Sequence, residues 1–250
     1  MVPHFTDFVR EIPNCDQEHS SLSGWMKRAK VESGNAGGND GHGGRMEERE
    51  KQLEKVRTAI EELPDSPLVE ERRRQGYSPV TGEGNPYARI MLVGEAPGER
   101  EARTGKPFVG ASGKVLDELL DSTGLRREDV YITNVVKDRP PGNRDPGRAE
   151  IEAYRPFLAR QLEIIRPEVI VTLGRFAMDF ILEHFAFPQA GSKIGELHGR
   201  LLKGSAPYGP VYVLPLYHPA VALYNREQRE TLEKDFQALK PFVEKKNAGF

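Results

Sequence analysis

From Arg89 onward, short apolar runs alternate with longer amphipathic stretches. Arg89–Val93, Val130–Thr133, Val169–Leu173 and Val211–Leu216 are dominated by β-branched and other apolar residues, without strict polar alternation. That is the pattern of strands buried on both faces. Between them, about Ser112–Ser122 places Val115, Leu116, Leu119 and Leu120 on one helical face, and about Arg148–Ile165 does the same with Ile151, Tyr154, Leu158, Leu162 and Ile165. Further helices are predicted over Arg175–His184 and Glu227–Glu244, while Ile194 and Leu197 read as short-strand residues in a Gly/Pro-rich stretch. The alternation predicts an α/β fold: a three-layer, doubly wound sheet of four mainly parallel strands flanked by helices.

Before Arg89 the pattern changes. Leu53, Val56, Ile60 and Leu63 recur at helical spacing on an otherwise charged cylinder, predicting a helix over Met46–Leu63 that Pro64 ends. Asp65–Ala88 reads as an irregular wrap with a basic knot, Arg72-Arg73-Arg74. Residues 31–44 are rich in glycine and have little apolar surface to bury, which predicts a flexible linker. Three parts follow: a low-complexity extension over 1–45, a helix and wrap over 46–88 that packs on the core, and an α/β domain over 89–250.

Composition narrows the function classes. Charged residues make up 30% and hydrophobic residues 37%, a soluble balance. Apolar stretches of about five residues fall far short of the roughly 20 that span a bilayer. The first residues lack a basic segment followed by an apolar one, so no secretory signal and a cytoplasmic location are expected. Cys15 is the only cysteine, which excludes a disulfide framework or a cysteine-built metal site within the chain. The net charge of −2 hides an asymmetry: residues 89–250 sum to +2 and residues 1–88 to −4. Charge therefore neither demands nor forbids a nucleic-acid partner.

Candidate chemistry gathers where the strands end. Gly94-Glu95-Ala96-Pro97-Gly98-Glu99-Arg100-Glu101 follows the first strand directly, Asn134 follows the second, and His218-Pro219 closes the fourth. In open parallel sheets the ligand crevice lies beyond these C-terminal ends. A nucleotide loop fits poorly, because there is no Gly-Lys-Ser/Thr ending and Pro97 stands among three acids that repel phosphate.

Five ordered motifs make a specific resemblance. Gly94-Glu95-Ala96-Pro97-Gly98, Lys106-Pro107-Phe108-Val109-Gly110, Tyr131-Ile132-Thr133-Asn134-Val135-Val136-Lys137, Arg139-Pro140-Pro141-Gly142-Asn143-Arg144 and Tyr217-His218-Pro219-Ala220 closely resemble the family 4 uracil-DNA glycosylases over roughly Gly82 to Leu239. The resemblance implies a monomeric, monofunctional DNA repair glycosylase that acts on uracil in DNA and leaves an abasic site. It also implies roles for single residues. Phe108 would stack on the flipped base, and Asn134 would accept from uracil N3–H and donate to O4, a pattern that cytosine reverses. Gly94 and Ala96 would complete the base pocket. His218 would stabilise the anionic leaving base at O2. Glu95 would position water and stabilise the cationic sugar, with Glu101 as a second acid and Asn143 at the reaction centre.

For DNA, the phosphate-contact candidates are Lys137, Arg139, Arg144, Lys114 and Arg226, with Ser112 at a helix terminus. Ala220 and its neighbours would enter the minor groove behind an apolar wedge, Leu223 or Val221. No metal and no membrane partner are expected.

The resemblance has one clear departure. The family usually carries a 4Fe–4S cluster on four cysteines, and the matching positions here are Leu63, Ser66, Asp138 and Tyr154. With Cys15 as the only thiol, no cofactor is expected. Tyr154 is expected to fill the cluster's volume, and Asp138 to pair with an arginine or the tyrosine hydroxyl. Two alternatives stay open: a related protein that binds uracil or abasic DNA without catalysis, and one that traps DNA covalently. The absence of a histidine from Asp138–Pro146 counts against the second.

Overall fold

The structure, a computed structural model, describes residues 41–63 and 66–247. The expected extension therefore lies outside the described residues up to residue 40. Helix α1 (Gly41–Glu61) begins within the stretch expected to be a linker. Its Val56 and Ile60 are buried, as is Leu63 just beyond it. The expected irregular wrap contains a second helix, α2 (Val69–Gln75), which ends at Gly76 in the left-handed conformation, φ 65°. The basic knot lies on α2, and its Arg72 is turned inward.

Among the described residues, six strands form one sheet: β1 (Glu83–Gly84), β2 (Ile90–Gly94), β3 (Tyr131–Asn134), β4 (Val169–Leu173), β5 (Leu202–Ala206) and β6 (Gly209–Leu216), in the order β1-β3-β2-β4-β6-β5. The four expected strands are the central, mutually parallel ones. The sheet is mixed because β1 and β5 add antiparallel edges, β5 through a hairpin onto β6. Neither edge has an apolar run to announce it.

The helices between strands are α3 (Glu99–Thr104), α4 (Ala111–Asp121), α5 (Arg148–Ile165), α6 (Arg175–His184) and α7 (Ile194–Leu197). Ile194 and Leu197 thus form a helical turn and no strand. The expected C-terminal helix is divided into α8 (Arg226–Phe236), a 3-10 turn at Gln237–Leu239 and α9 (Lys240–Asn247). Pro241 has no N–H to continue the α-helical ladder, which accounts for the break at this point.

On one face of the sheet, Leu116, Leu119 and Leu120 of α4 and Leu232, Phe236 and Phe242 from the C-terminal helices join Ile90, Leu92, Val171, Leu214 and Leu216 in one core. Each side chain of this kind contributes about 1.5–3 kcal/mol when fully buried. On the other face, Gln161 of α5 donates to the Thr81 carbonyl and to the Tyr131 hydroxyl. Because β3 and β4 lie on opposite sides of β2, the chain reverses its winding there, and a crevice opens at the C-terminal strand ends. Gly94 and Asn134 are register partners at that edge, and His218 follows β6 by two residues. Among the described residues, no helix is long and apolar enough to cross a membrane.

Candidate active site

The crevice is a cleft of about 290 Å³, at the small end of the roughly 300–1,000 Å³ usual for small-molecule sites. The segment Glu95, Ala96, Pro97 and Gly98 lines it together with Phe108, Asn134 and His218, and Ser112, Pro140, Asn143, Arg144 and Ala220 also contribute. Glu101 also reaches it.

Phe108 and Asn134 are held by close packing. A β-carbon on Gly94 would lie 2.3 Å from Asn134 Oδ1 and 2.7 Å from the Phe108 ring, so only glycine lets both side chains reach the cleft. Phe108 itself takes a left-handed backbone, φ 50°, an uncommon conformation for a residue with a side chain. Arg127 supports it by donating to the Phe108 carbonyl at 3.0 Å and to the Pro107 carbonyl at 2.6 Å. Nothing in the sequence marks Arg127 for this task, since its partners lie about 20 residues away in a loop.

Asn134 is almost fully buried, and its Oδ1 has no hydrogen-bond partner in the protein. An unpaired buried acceptor costs about 1–3 kcal/mol, so this atom is ready to receive a donor from a ligand in the cleft.

His218 stacks on Phe108 with ring centroids 5.7 Å apart and planes inclined by 29°. Its Nδ1 accepts from the Ala220 N–H at 3.2 Å, which leaves the ring proton of the neutral imidazole on Nε2. Burial pushes its pKa down to about 4, against the opposing charge of Glu101. His218 is thus a neutral hydrogen-bond donor near pH 7.

The two acids have different surroundings. Glu101 Oε1 accepts from the Val109 and Gly110 N–H groups at 2.9 and 2.7 Å, so it braces the loop that carries Phe108. Glu95 is partly buried, and desolvation, aided by the charge of Asp145 and opposed by Arg175, raises its pKa.

Three expected phosphate contacts are engaged elsewhere. Lys137 is a correction: it is fully buried, with Nζ donating at 2.7 Å to Thr133 Oγ1, the Asn134 carbonyl and Gln161 Oε1. Burial holds its pKa well below the usual lysine value, and it has no path to a phosphate. Arg139 bonds Asn143 through Nε and Tyr77 through Nη1, and its Nη2 faces Glu99 at 3.5 Å. Arg144 stays at the rim, but both terminal nitrogens bond Glu150, at 2.9 and 2.6 Å. Ala220 lies in the cleft lining and Leu223 on the exposed surface of the 3-10 turn Pro219–Leu223. The neighbouring Tyr224, not singled out from the sequence, is 90% exposed.

Behind the site, Asp138 and Tyr154 meet as expected. The Tyr154 hydroxyl donates to Asp138 Oδ2 at 2.6 Å and receives from Ser66 Oγ at 2.6 Å. Arg72 pairs with Asp138 at 3.2 Å and also donates to the Ile60 and Glu61 carbonyls at the end of α1. Burial raises the Asp138 pKa, an effect that the Tyr154 bond and the Arg72 charge oppose. All four side chains are buried.

The sequence profile of the uracil DNA glycosylase superfamily matches residues 81–243. A Type-4 uracil-DNA glycosylase of Archaeoglobus fulgidus is 50% identical over 167 residues, 67% of this chain and 83% of that protein. One of Saccharolobus solfataricus is 47% identical over 168 residues, covering 67% and 77% of the two chains. One of Thermotoga maritima is 41% identical over 204 residues, covering 80% and 99%.

Proposed function

This chain belongs to the uracil-DNA glycosylase superfamily, and on that premise we propose that it is a DNA repair glycosylase that hydrolyses the N-glycosidic bond of uracil in DNA, releasing uracil and leaving an abasic site. The observation that carries the reading is the orphaned Asn134 Oδ1, buried beside Phe108 and facing a cleft that His218 closes. Uracil supplies the missing N3–H donor there. Cytosine presents a bare N3 and an amino group instead, and would leave buried polar groups unpaired.

The mechanism follows from the side chains. The base leaves the stack and lies on the Phe108 ring, a contact worth about 1–3 kcal/mol. Asn134 reads N3–H and O4. As the glycosidic bond breaks, negative charge gathers on the base, and the Nε2–H of neutral His218 donates to O2. A neutral imidazole N–H stabilises the anion by a hydrogen bond and keeps its own proton, being far too weak an acid to transfer it. Glu95 serves the sugar, which becomes cationic, and holds the attacking water: the water oxygen bonds C1′ as the N1–C1′ bond breaks, and the water proton passes to Glu95 and from there to the uracil anion, giving free uracil. Glu101 contributes by bracing the Phe108 loop.

No lysine lines the cleft among the described residues, which supports a monofunctional enzyme that uses water and not an amine. In this reading it acts as a monomer in the cytoplasm, as the family resemblance suggests.

The family's iron–sulfur cluster does not fit this chain. The four corresponding positions offer an alkyl group, two hydroxyls and a carboxylate, and the three polar ones are already bonded within one buried network. With one cysteine in the chain, the enzyme works without that cofactor in this reading.

The test is incubation with a single-stranded oligonucleotide carrying one uracil, followed by alkali. Wild type should give cleavage at the uracil position, and His218→Ala and Asn134→Ala should each reduce it at least about 100-fold. Absence of product from wild type would defeat the enzyme reading, and a stable protein–DNA adduct would favour covalent trapping.

A further inference from the structure

Asn143 sits at the reaction centre without an evident chemical task, and the group that grips it supplies one. Its backbone is left-handed, φ 55°, and follows Gly142 at φ 63° in the 3-10 turn Pro141–Asn143. Its N–H donates to the Pro140 carbonyl at 3.1 Å. The side-chain amide is fixed from one side by Arg139, whose Nε lies 2.8 Å from Asn143 Oδ1. Arg139 is itself held: Nη1 donates to the Tyr77 hydroxyl at 2.7 Å, Nη2 faces Glu99 at 3.5 Å, and its side chain is only 14% exposed.

A guanidinium can only donate, so the Asn143 amide must turn its oxygen to Arg139 and its NH2 the other way. We propose that Arg139 is a positioning residue that orients Asn143 so that its amide donates, by NH2, into the cleft. This rests on the glycosylase reading and deepens it. A donor at that place binds an oxygen acceptor of the deoxyribose, its flanking phosphate or the attacking water, and it takes no proton. Proton acceptance is then left to Glu95. The neighbours of Arg139 show the same bracing: Lys137 holds the Asn134 carbonyl, and Asp138 joins the buried network behind the site. Lys137 and Arg139 thus tie the two cleft asparagines to the scaffold, and Asp138 between them anchors the segment that carries both.

The test compares Arg139→Ala, Arg139→Lys and Asn143→Ala on a uracil oligonucleotide over a range of salt. Misplacing Asn143 should lower kcat about 10- to 100-fold with KM within about twofold. Asn143→Ala in the Arg139→Ala background should then cost no more than a further twofold or so, because both remove one interaction. The slope of log Kd against log salt should be unchanged. A direct phosphate contact would instead reduce that slope by about 0.7–0.9 and raise KM, which would overturn the proposal, as would fully additive losses. If Arg139→Ala does not fold, Tyr77→Phe removes one anchor and should lower kcat in the same sense with the salt slope intact. Should wild type release no uracil, the functional reading fails separately. The 15N side-chain amide signal of Asn143 then decides the positioning: it should shift in Arg139→Lys, and an unmoved signal would contradict the contact.

Discussion

Gly94 and Asn134 are register partners at the ends of β2 and β3, and a methyl group on the first would stand 2.3 Å from the amide oxygen of the second. The base-reading amide therefore exists in its place because its neighbour has no side chain. Gly94→Ala should fold, since the clash is with side chains at the open end of the sheet. It should lose uracil excision about 100-fold or more by displacing both Asn134 and Phe108. Single-turnover rates and circular dichroism together check this.

Arg127 should matter for catalysis although it lies outside the cleft lining. It holds the Pro107 and Phe108 carbonyls while Phe108 takes a strained backbone. Arg127→Ala should weaken substrate binding about 10-fold and leave cleaved-product identity unchanged. Arg127→Lys cannot reproduce the two-pronged contact and should recover little of the loss, as KM measurements would show.

Protonation of His218 should link stability to pH. Its ordinary pKa near 6.5 belongs to the unfolded chain, and burial holds it at about 4 in the folded protein. The unfolded state therefore takes up the proton first. The contribution is fully present above about pH 6.5 and is lost as pH falls toward 4, by roughly 3 kcal/mol at most. Urea midpoints from pH 4 to 8 should show this fall in wild type and a flatter profile in His218→Gln. The rate profile of wild type should have no limb near pH 6.5.

The buried network at Asp138 should behave as a structural tie. Arg72→Ala leaves Asp138 unpaired in the interior and should cost about 3–5 kcal/mol, whereas Arg72→Met with Asp138→Leu should cost less than the sum of the single changes. Tyr154→Phe should cost about 1–3 kcal/mol by leaving the buried Ser66 hydroxyl proton without an acceptor and Asp138 Oδ2 with Arg72 as its remaining donor. Denaturant unfolding measures these, and iron analysis of the purified protein should find no stoichiometric metal.

The parallel core of the sheet was legible because β2, β3 and β4 and the last four residues of β6 are buried on both faces, which makes them apolar runs with few polar residues. The same logic placed Glu95, Asn134 and His218 at strand ends. The edges were not legible: Glu83–Gly84 is two residues long, and Leu202–Ala206 carries lysine, glycine and serine because it is paired on one side only. The charged residues were misread for a related reason. Whether Lys137 or Arg72 is inside depends on acceptors brought by other segments, such as Gln161 and the Ile60 carbonyl, and local sequence does not report them. Asp138 and Tyr154 were legible only through the family's cysteines.

A cleft that reads uracil and frees it by hydrolysis must release the intact base from uracil-containing DNA alone. The most direct measurement is mass spectrometry of the small molecules released from two oligonucleotides identical but for one uracil or cytosine. Free uracil should appear in amounts equal to the abasic sites formed, with no free cytosine and an intact DNA backbone before alkali. Release of cytosine at a comparable rate, or no free base at all, would contradict it.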